Sequence, residues 1–172
     1  PAWMTGEASS RTSLDIPQPQ RRLLEALVKT GKPVVLLLFS GRPMSLEWEN
    51  ANMAAILDVW YGGSEAADAT LDVVYGKVNP SGKLTMTFPR NVGQIPVYYN
   101  MKVGGRPAKT DSYKRFSSCY IDSPNSSLYP FGHGLSYTDF KFGKMKVEEA
   151  EGGWKVRVNV KNIGEYVNKN RK

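Results

Sequence analysis

Cysteine and histidine are almost missing from this sequence: Cys119 and His133 are the single representatives of each. One thiol excludes an intrachain disulfide framework and a multi-thiolate zinc site, and one imidazole leaves no partner for a two-histidine metal site. With no second histidine or evident base nearby, Cys119 reads as a structural or incidental thiol rather than a nucleophile. Long apolar runs are lacking as well. The longest, 34–39, has the length of a strand and falls far short of the ~18 residues a membrane helix needs. A phosphate loop is also absent: Gly62-Gly63-Ser64 precedes a helical pattern but lacks the lysine and spacing, so it reads as a tightly packed turn and no nucleotide is implied. The first residues, Pro1-Ala2-Trp3-Met4, carry neither an initiator methionine nor a signal pattern, which reads as a processed or excised segment.

What is present is ordinary for a folded domain. Hydrophobic residues make up 41% and charged residues 23%, values that argue against wholesale disorder. The net charge of +7 raises the question of nucleic acid, yet the positive residues are dispersed, from Arg21-Arg22 to the last four residues. Dispersed charge without interleaved aromatics or a known motif reads as solvated surface.

Along the chain, residues 1–16 are polar and unperiodic, as in an ordered loop. Asp15-Ile16-Pro17 announces a helix, with Asp15 as cap, an apolar face of Leu23, Leu24, Leu27 and Val28, and Gly31 at its end. The continuous run 34–39 predicts a strand buried on both faces of a parallel sheet, 54–60 a second strand, and 66–75 a helix. This order implies an α/β layer architecture. Residues 84–88 alternate up to Pro89, which predicts an edge or final strand. From 90 to 135 the chain is rich in Gly, Pro, Tyr, Asn and Ser without periodicity, longer than an ordinary connection. Alternation returns at 140–147 and 154–160 around a turn at 149–153, predicting a β-hairpin that needs further strands for stability.

Five segments carry a family resemblance: Gly6-Glu7-Ala8-Ser9-Ser10-Arg11; Gly41-Arg42-Pro43; Trp60-Tyr61-Gly62-Gly63-Ser64-Glu65-Ala66-Ala67; Asn79-Pro80-Ser81-Gly82-Lys83-Leu84 with Phe88-Pro89; and Tyr129-Pro130-Phe131-Gly132-His133-Gly134-Leu135-Ser136-Tyr137-Thr138. In this order and spacing the chain resembles glycoside hydrolase family 3, in particular its bacterial periplasmic β-glucosidases. The resemblance implies a retaining, exo-acting glycosidase acting on terminal β-linked glucosyl or related sugars, with no required cofactor. It implies an upstream TIM-like barrel that supplies the aspartate nucleophile. It also implies a periplasmic or secreted location, a partial doubly wound α/β sandwich over 1–135, and the start of a fibronectin type III-like domain over 136–172.

Within that resemblance Glu7 aligns with the general acid/base glutamate. Retaining hydrolysis uses two carboxyls about 5–5.5 Å apart, one attacking the anomeric carbon and one protonating the departing oxygen. Without the partner domain, the chain alone is expected to be inactive. On local sequence alone, Glu7 also fits an exposed loop carboxylate paired with Arg11. Arg11 is assigned beside Glu7 as a supporting residue, since a guanidinium too close would keep an acid ionised. Tyr99, Asn100 and Arg106 belong to an aromatic loop with a basic tip that fits either the leaving-group side of a sugar site or interdomain packing. His133, flanked by glycines, reads as a turn residue. One departure is Cys119, where related sequences tend to have arginine. The reading from a different class is a non-catalytic α/β module that docks onto a partner domain.

Overall fold

Two apolar runs pair as parallel strands. β1 (Val35–Leu38) lies beside β2 (Ala55–Asp58), with Val35 opposite Ala55 and Leu38 opposite Asp58. Parallel neighbours need a crossover, and the chain supplies one containing α2 (Glu47–Asn52). That helix was not legible as a periodic pattern, because Glu-Trp-Glu-Asn-Ala-Asn has no apolar stripe and its buried residue is Glu49. The computed structural model describes residues 6–166, and these form two units: 6–63 with 83–133, and 64–82 with 134–166.

In the first unit, Ile16, Leu24, Leu38, Leu46 and Phe88 make the core, with Leu36, Trp48, Trp60 and Tyr129 packed against it. Phe88 is the centre of an aromatic cluster, meeting Trp60 edge-on at 5.9 Å and Tyr129 at 6.1 Å. Burying a ring of this size contributes roughly 2–3 kcal/mol of hydrophobic stabilisation. α1 (Gln18–Val28) places Leu24 against this core. Its start corrects the sequence reading: Pro17 occupies the cap position without a side-chain bond, while Asp15 accepts from the Ser13 hydroxyl and bridges to Ser45. Gly31 ends the turn at φ +71°, a conformation glycine adopts without a Cβ penalty.

Two further expectations change. β1 is covered on one face only: Leu38 is buried and Leu36 packs on the core, whereas Val35 and Leu37 point outward and are exposed. The described residues supply a covering layer on a single side. Residues 84–88 do not make a continuous strand. The chain bends at 85–86, and pairing with 128–133 survives at the two ends, through Leu84 with His133 and Gly132, and Phe88 with Tyr129. The long stretch from 90 is ordered by side chains. After a 3-10 turn, Val92–Gln94, the buried Gln94 amide accepts from the Arg90 N–H and donates to the carbonyls of Pro124 and Ser126.

The second unit contains α3 (Ala66–Val74) and four short strands. β3 (Phe140–Phe142) pairs antiparallel with β6 (Val160–Asn162), and β4 (Lys146–Ala150) forms a hairpin with β5 (Gly153–Arg157). Gly152, at φ +75°, supplies the turn. Side-chain bonds tie the unit together: Asn79 to Ser136 and the Tyr137 N–H, the Tyr137 hydroxyl to the Val73 carbonyl, and the Tyr166 hydroxyl to the Gly76 carbonyl. No helix among the described residues is long and apolar enough to cross a membrane.

Candidate functional site

Binding and catalytic groups of open α/β sheets collect beyond the carboxyl ends of the strands, and in the first unit those ends carry the quoted motifs. β1 runs into Ser40-Gly41-Arg42-Pro43. The Ser40 hydroxyl donates to the Arg42 carbonyl at 2.8 Å and accepts from the Arg42 N–H at 3.3 Å, a local bond pair that fixes the backbone where the strand ends. From there the Arg42 guanidinium reaches back to the N-terminal loop. One nitrogen donates to the Ser10 hydroxyl at 2.9 Å and the Arg11 carbonyl at 2.7 Å, and the other to the Ser13 carbonyl at 2.9 Å.

That loop carries Glu7. Gly6 and Ser9 exchange backbone bonds of 3.0 and 3.2 Å, so Glu7 and Ala8 form the tip of a two-residue turn, with Ala8 at φ +55°. The Glu7 side chain is exposed, as is Arg11. No ion pair joins the two among the described residues, and the Arg11 contribution to the loop's bonding is its backbone carbonyl.

β2 ends beside this assembly. Asp58 accepts from the Trp60 N–H at 3.3 Å, and Trp60 adopts φ +54°, unusual for a bulky residue. The next residue, Tyr61, is largely exposed and its ring covers Gly41: a Cβ at Gly41 would lie 2.5 Å from a ring carbon. Desolvation holds the Asp58 carboxyl above its ordinary range, opposed by the Trp60 bond, and its second oxygen is buried without a partner.

The other sequence-derived candidates lie apart in bonding terms. Tyr99 packs against Phe131, with ring centroids 4.7 Å apart, and Asn100 is exposed in the adjoining turn. Arg106 accepts from the Ser118 N–H through its carbonyl and lines a shallow groove of about 320 Å³ with Gly105, Phe116 and Ser117. No hydrogen bond or ring contact among the described residues links these three to the Glu7 turn. His133 stacks on Tyr129 at 5.0 Å within a turn, and the Cys119 thiol faces the carbonyls of Lys114 and Ser117. Among the described residues no cluster of His, Cys, Asp or Glu is arranged to hold a metal ion. The sequence shows Arg42 only as part of the Gly41-Arg42-Pro43 motif, with no role assigned to it. Its signal was present, a lone arginine in Ser-Gly-Arg-Pro at the end of an apolar strand, but its partners lie some thirty positions away.

Residues 1–137 match the family described as "Glycosyl hydrolase family 3 C-terminal domain". The chain belongs to glycosyl hydrolase family 3. The "Periplasmic beta-glucosidase" of Salmonella typhimurium is 47% identical over 165 residues, 94% of this chain and 22% of that protein. A "Beta-xylosidase" of Formosa agariphila is 46% identical over 92% of this chain and 22% of its own length. The crystal structure of a β-glucosidase from Listeria innocua in complex with glucose superimposes with a TM-score of 0.83 at 41% identity, covering 92% of this chain and 23% of that one. The chain therefore spans about a fifth of the length of the family members it matches.

Proposed function

We propose that this chain is the acid/base-bearing portion of a retaining exo-β-glucosidase that removes terminal β-linked glucosyl or related residues, and that Glu7 is its general acid and base. The observation that carries this reading is the position of Glu7: a carboxyl at the tip of a tight turn, tied through Arg42 to the carboxyl end of a parallel strand, in a chain of this family. In the first half-reaction Glu7, protonated, gives its proton to the glycosidic oxygen while a carboxylate from an upstream TIM-like barrel attacks the anomeric carbon. The aglycone leaves as an alcohol and a glycosyl-enzyme forms. In the second half-reaction the ionised Glu7 takes a proton from water, which attacks the same carbon and releases the sugar.

A general acid has to hold its proton near the working pH, which favours a site closed over by the partner domain when substrate is bound. The exposed turn suits delivery across such a boundary. Arg11 supports the loop through its backbone, and Tyr99, Asn100 and Arg106 border the leaving-group side. The doubly wound α/β sandwich runs over 1–135 and a fibronectin type III-like domain begins over 136–172, of which 1–5 and 167–172 lie outside the described residues, in a protein that works in the periplasm or outside the cell without a cofactor. The chain by itself is inactive.

The test is Glu7→Gln in the complete protein. The kcat/KM for aryl β-glucosides with poor leaving groups, which reports the first half-reaction, is expected to fall by about 10²–10⁴-fold while that for activated leaving groups is partly spared; kcat on the activated ones falls through loss of the base in the second half-reaction. Equal losses on both classes would overturn the acid assignment, and unchanged rates on both would favour a non-catalytic docking module.

A further inference from the structure

We propose that Arg42 is the positioning residue for Glu7, clamping the acid/base turn to the end of β1 so that the carboxyl meets the glycosidic oxygen; the inference rests on the reading of Glu7 above. Three features of the geometry carry it. The guanidinium bonds three separate groups of the loop that follows the turn, the Ser10 hydroxyl and the carbonyls of Arg11 and Ser13, at 2.7–2.9 Å. Its own backbone is locked by the Ser40 bond pair directly after a strand that belongs to the core unit. And all its acceptors are neutral. Glu7 forms no ion pair with Arg42 among the described residues, so the clamp supplies order without placing a cation against an acid that has to stay protonated.

The planar fork matters. Two guanidinium nitrogens address carbonyls two residues apart, Arg11 and Ser13, simultaneously. A lysine ammonium on a flexible stem keeps the charge and one bond but does not span both. The turn itself is small, closed by the two Gly6–Ser9 backbone bonds, so its direction depends on what holds the residues just after it. Displacement of a catalytic group by about 1 Å is enough to cost ~10²-fold in rate. Arg42 thus acts on the chemistry through the loop and touches no reacting atom.

The experiment uses the complete protein with Arg42→Ala, Arg42→Lys, Glu7→Gln and the Glu7→Gln/Arg42→Ala double variant, each assayed on one poor and one activated aryl β-glucoside, with thermal melting as a control. Arg42→Ala is expected to lower kcat/KM on the poor substrate by ~10²-fold and on the activated one by less than ~10-fold, with kcat on the activated one also reduced because the same carboxyl serves as base in the second half-reaction. Arg42→Lys should fall between, with the wild-type melting temperature nearly kept, and it carries the test if the alanine variant does not fold. In the double variant the second substitution should add little on the poor substrate, since the group it positions is already disabled. If Glu7→Gln alone shows no leaving-group dependence, the assignment of Glu7 fails first. If Glu7→Gln shows it while both Arg42 variants slow the two substrates equally, leave both unchanged, or combine additively with Glu7→Gln, Arg42 is a structural residue only and the proposal is overturned.

Discussion

The two units bury their side chains to different degrees. The first has a centre: Phe88 and Leu46 are each 1% exposed, held by rings and leucines from a helix, a strand and two loops. In the second, every residue of β3, β4, β5 and β6 is exposed, including Phe142, Val147, Trp154 and Val156. Polar clasps at Asn79, Tyr137 and Asn162 and a ring contact between Tyr137 and Tyr166 hold it, with Thr70 and Thr138 its buried residues among those described. A hairpin without a covered face is marginal in water. The candidate acid/base turn is anchored on the well-packed unit, where a fixed backbone can give a catalytic group a fixed direction.

Substitutions should follow that difference. Phe88→Ala removes the ring between Trp60 and Tyr129 and is expected to cost about 3–5 kcal/mol, read as a lowered urea midpoint; a loss below about 1 kcal/mol would place the core elsewhere. Gly164→Ala tests the polar clasp of the second unit. A Cβ there would run into the Thr138 hydroxyl and lie 3.0 Å from the Asp139 nitrogen, where the Gly164 N–H already donates to Asn162. Roughly 1–3 kcal/mol is expected from overpacking against backbone, seen as faster amide exchange across the β3–β6 pair.

Asp58→Asn should move stability the other way. Burial raises the folded carboxyl's pKa, so the stability linked to its proton is present below the unfolded value and lost as pH rises through the raised folded one. The asparagine variant, which keeps an acceptor for Trp60, is therefore expected to be more stable than wild type at neutral pH, with the advantage vanishing on acidification. Urea midpoints of both proteins across pH check this, and a less stable variant at neutral pH would contradict it. Trp154→Ala is expected to change the stability of this chain by no more than about 0.5 kcal/mol, because its ring is 70% exposed.

Legibility in the sequence tracked the kind of force involved. β1, β2, α1 and α3 announced themselves through apolar runs and periodicity, and the hairpin through alternation on either side of 149–153, although 149–150 and 153 extend its strands and 140–142 pairs with β6 instead. α2 did not, because what it buries is the Glu49 carboxylate held by Arg21 at 2.8 Å, an interaction between distant residues with no local pattern. Residues 84–88 looked like a strand from their alternation, but the bend at 85–86 limits pairing to the ends. At the site, Glu7 was reached through family resemblance in the motif around it, whereas Arg42 emerged only once its three partners were in space. The Asp15 cap failed for a local reason: the helix starts at Gln18 with Pro17 in the cap position, two residues past Asp15, whose carboxylate accepts from the Ser13 hydroxyl instead.

The most direct test of the central claim is a crystal structure of the complete protein with a sugar analogue bound, in which the separation of the Glu7 carboxyl from the nucleophilic carboxylate is measured. A value of about 5–5.5 Å, with Glu7 facing the glycosidic oxygen, is what a retaining acid/base role predicts. A Glu7 carboxyl pointing to solvent, with a different carboxyl at that distance from the nucleophile, would contradict it.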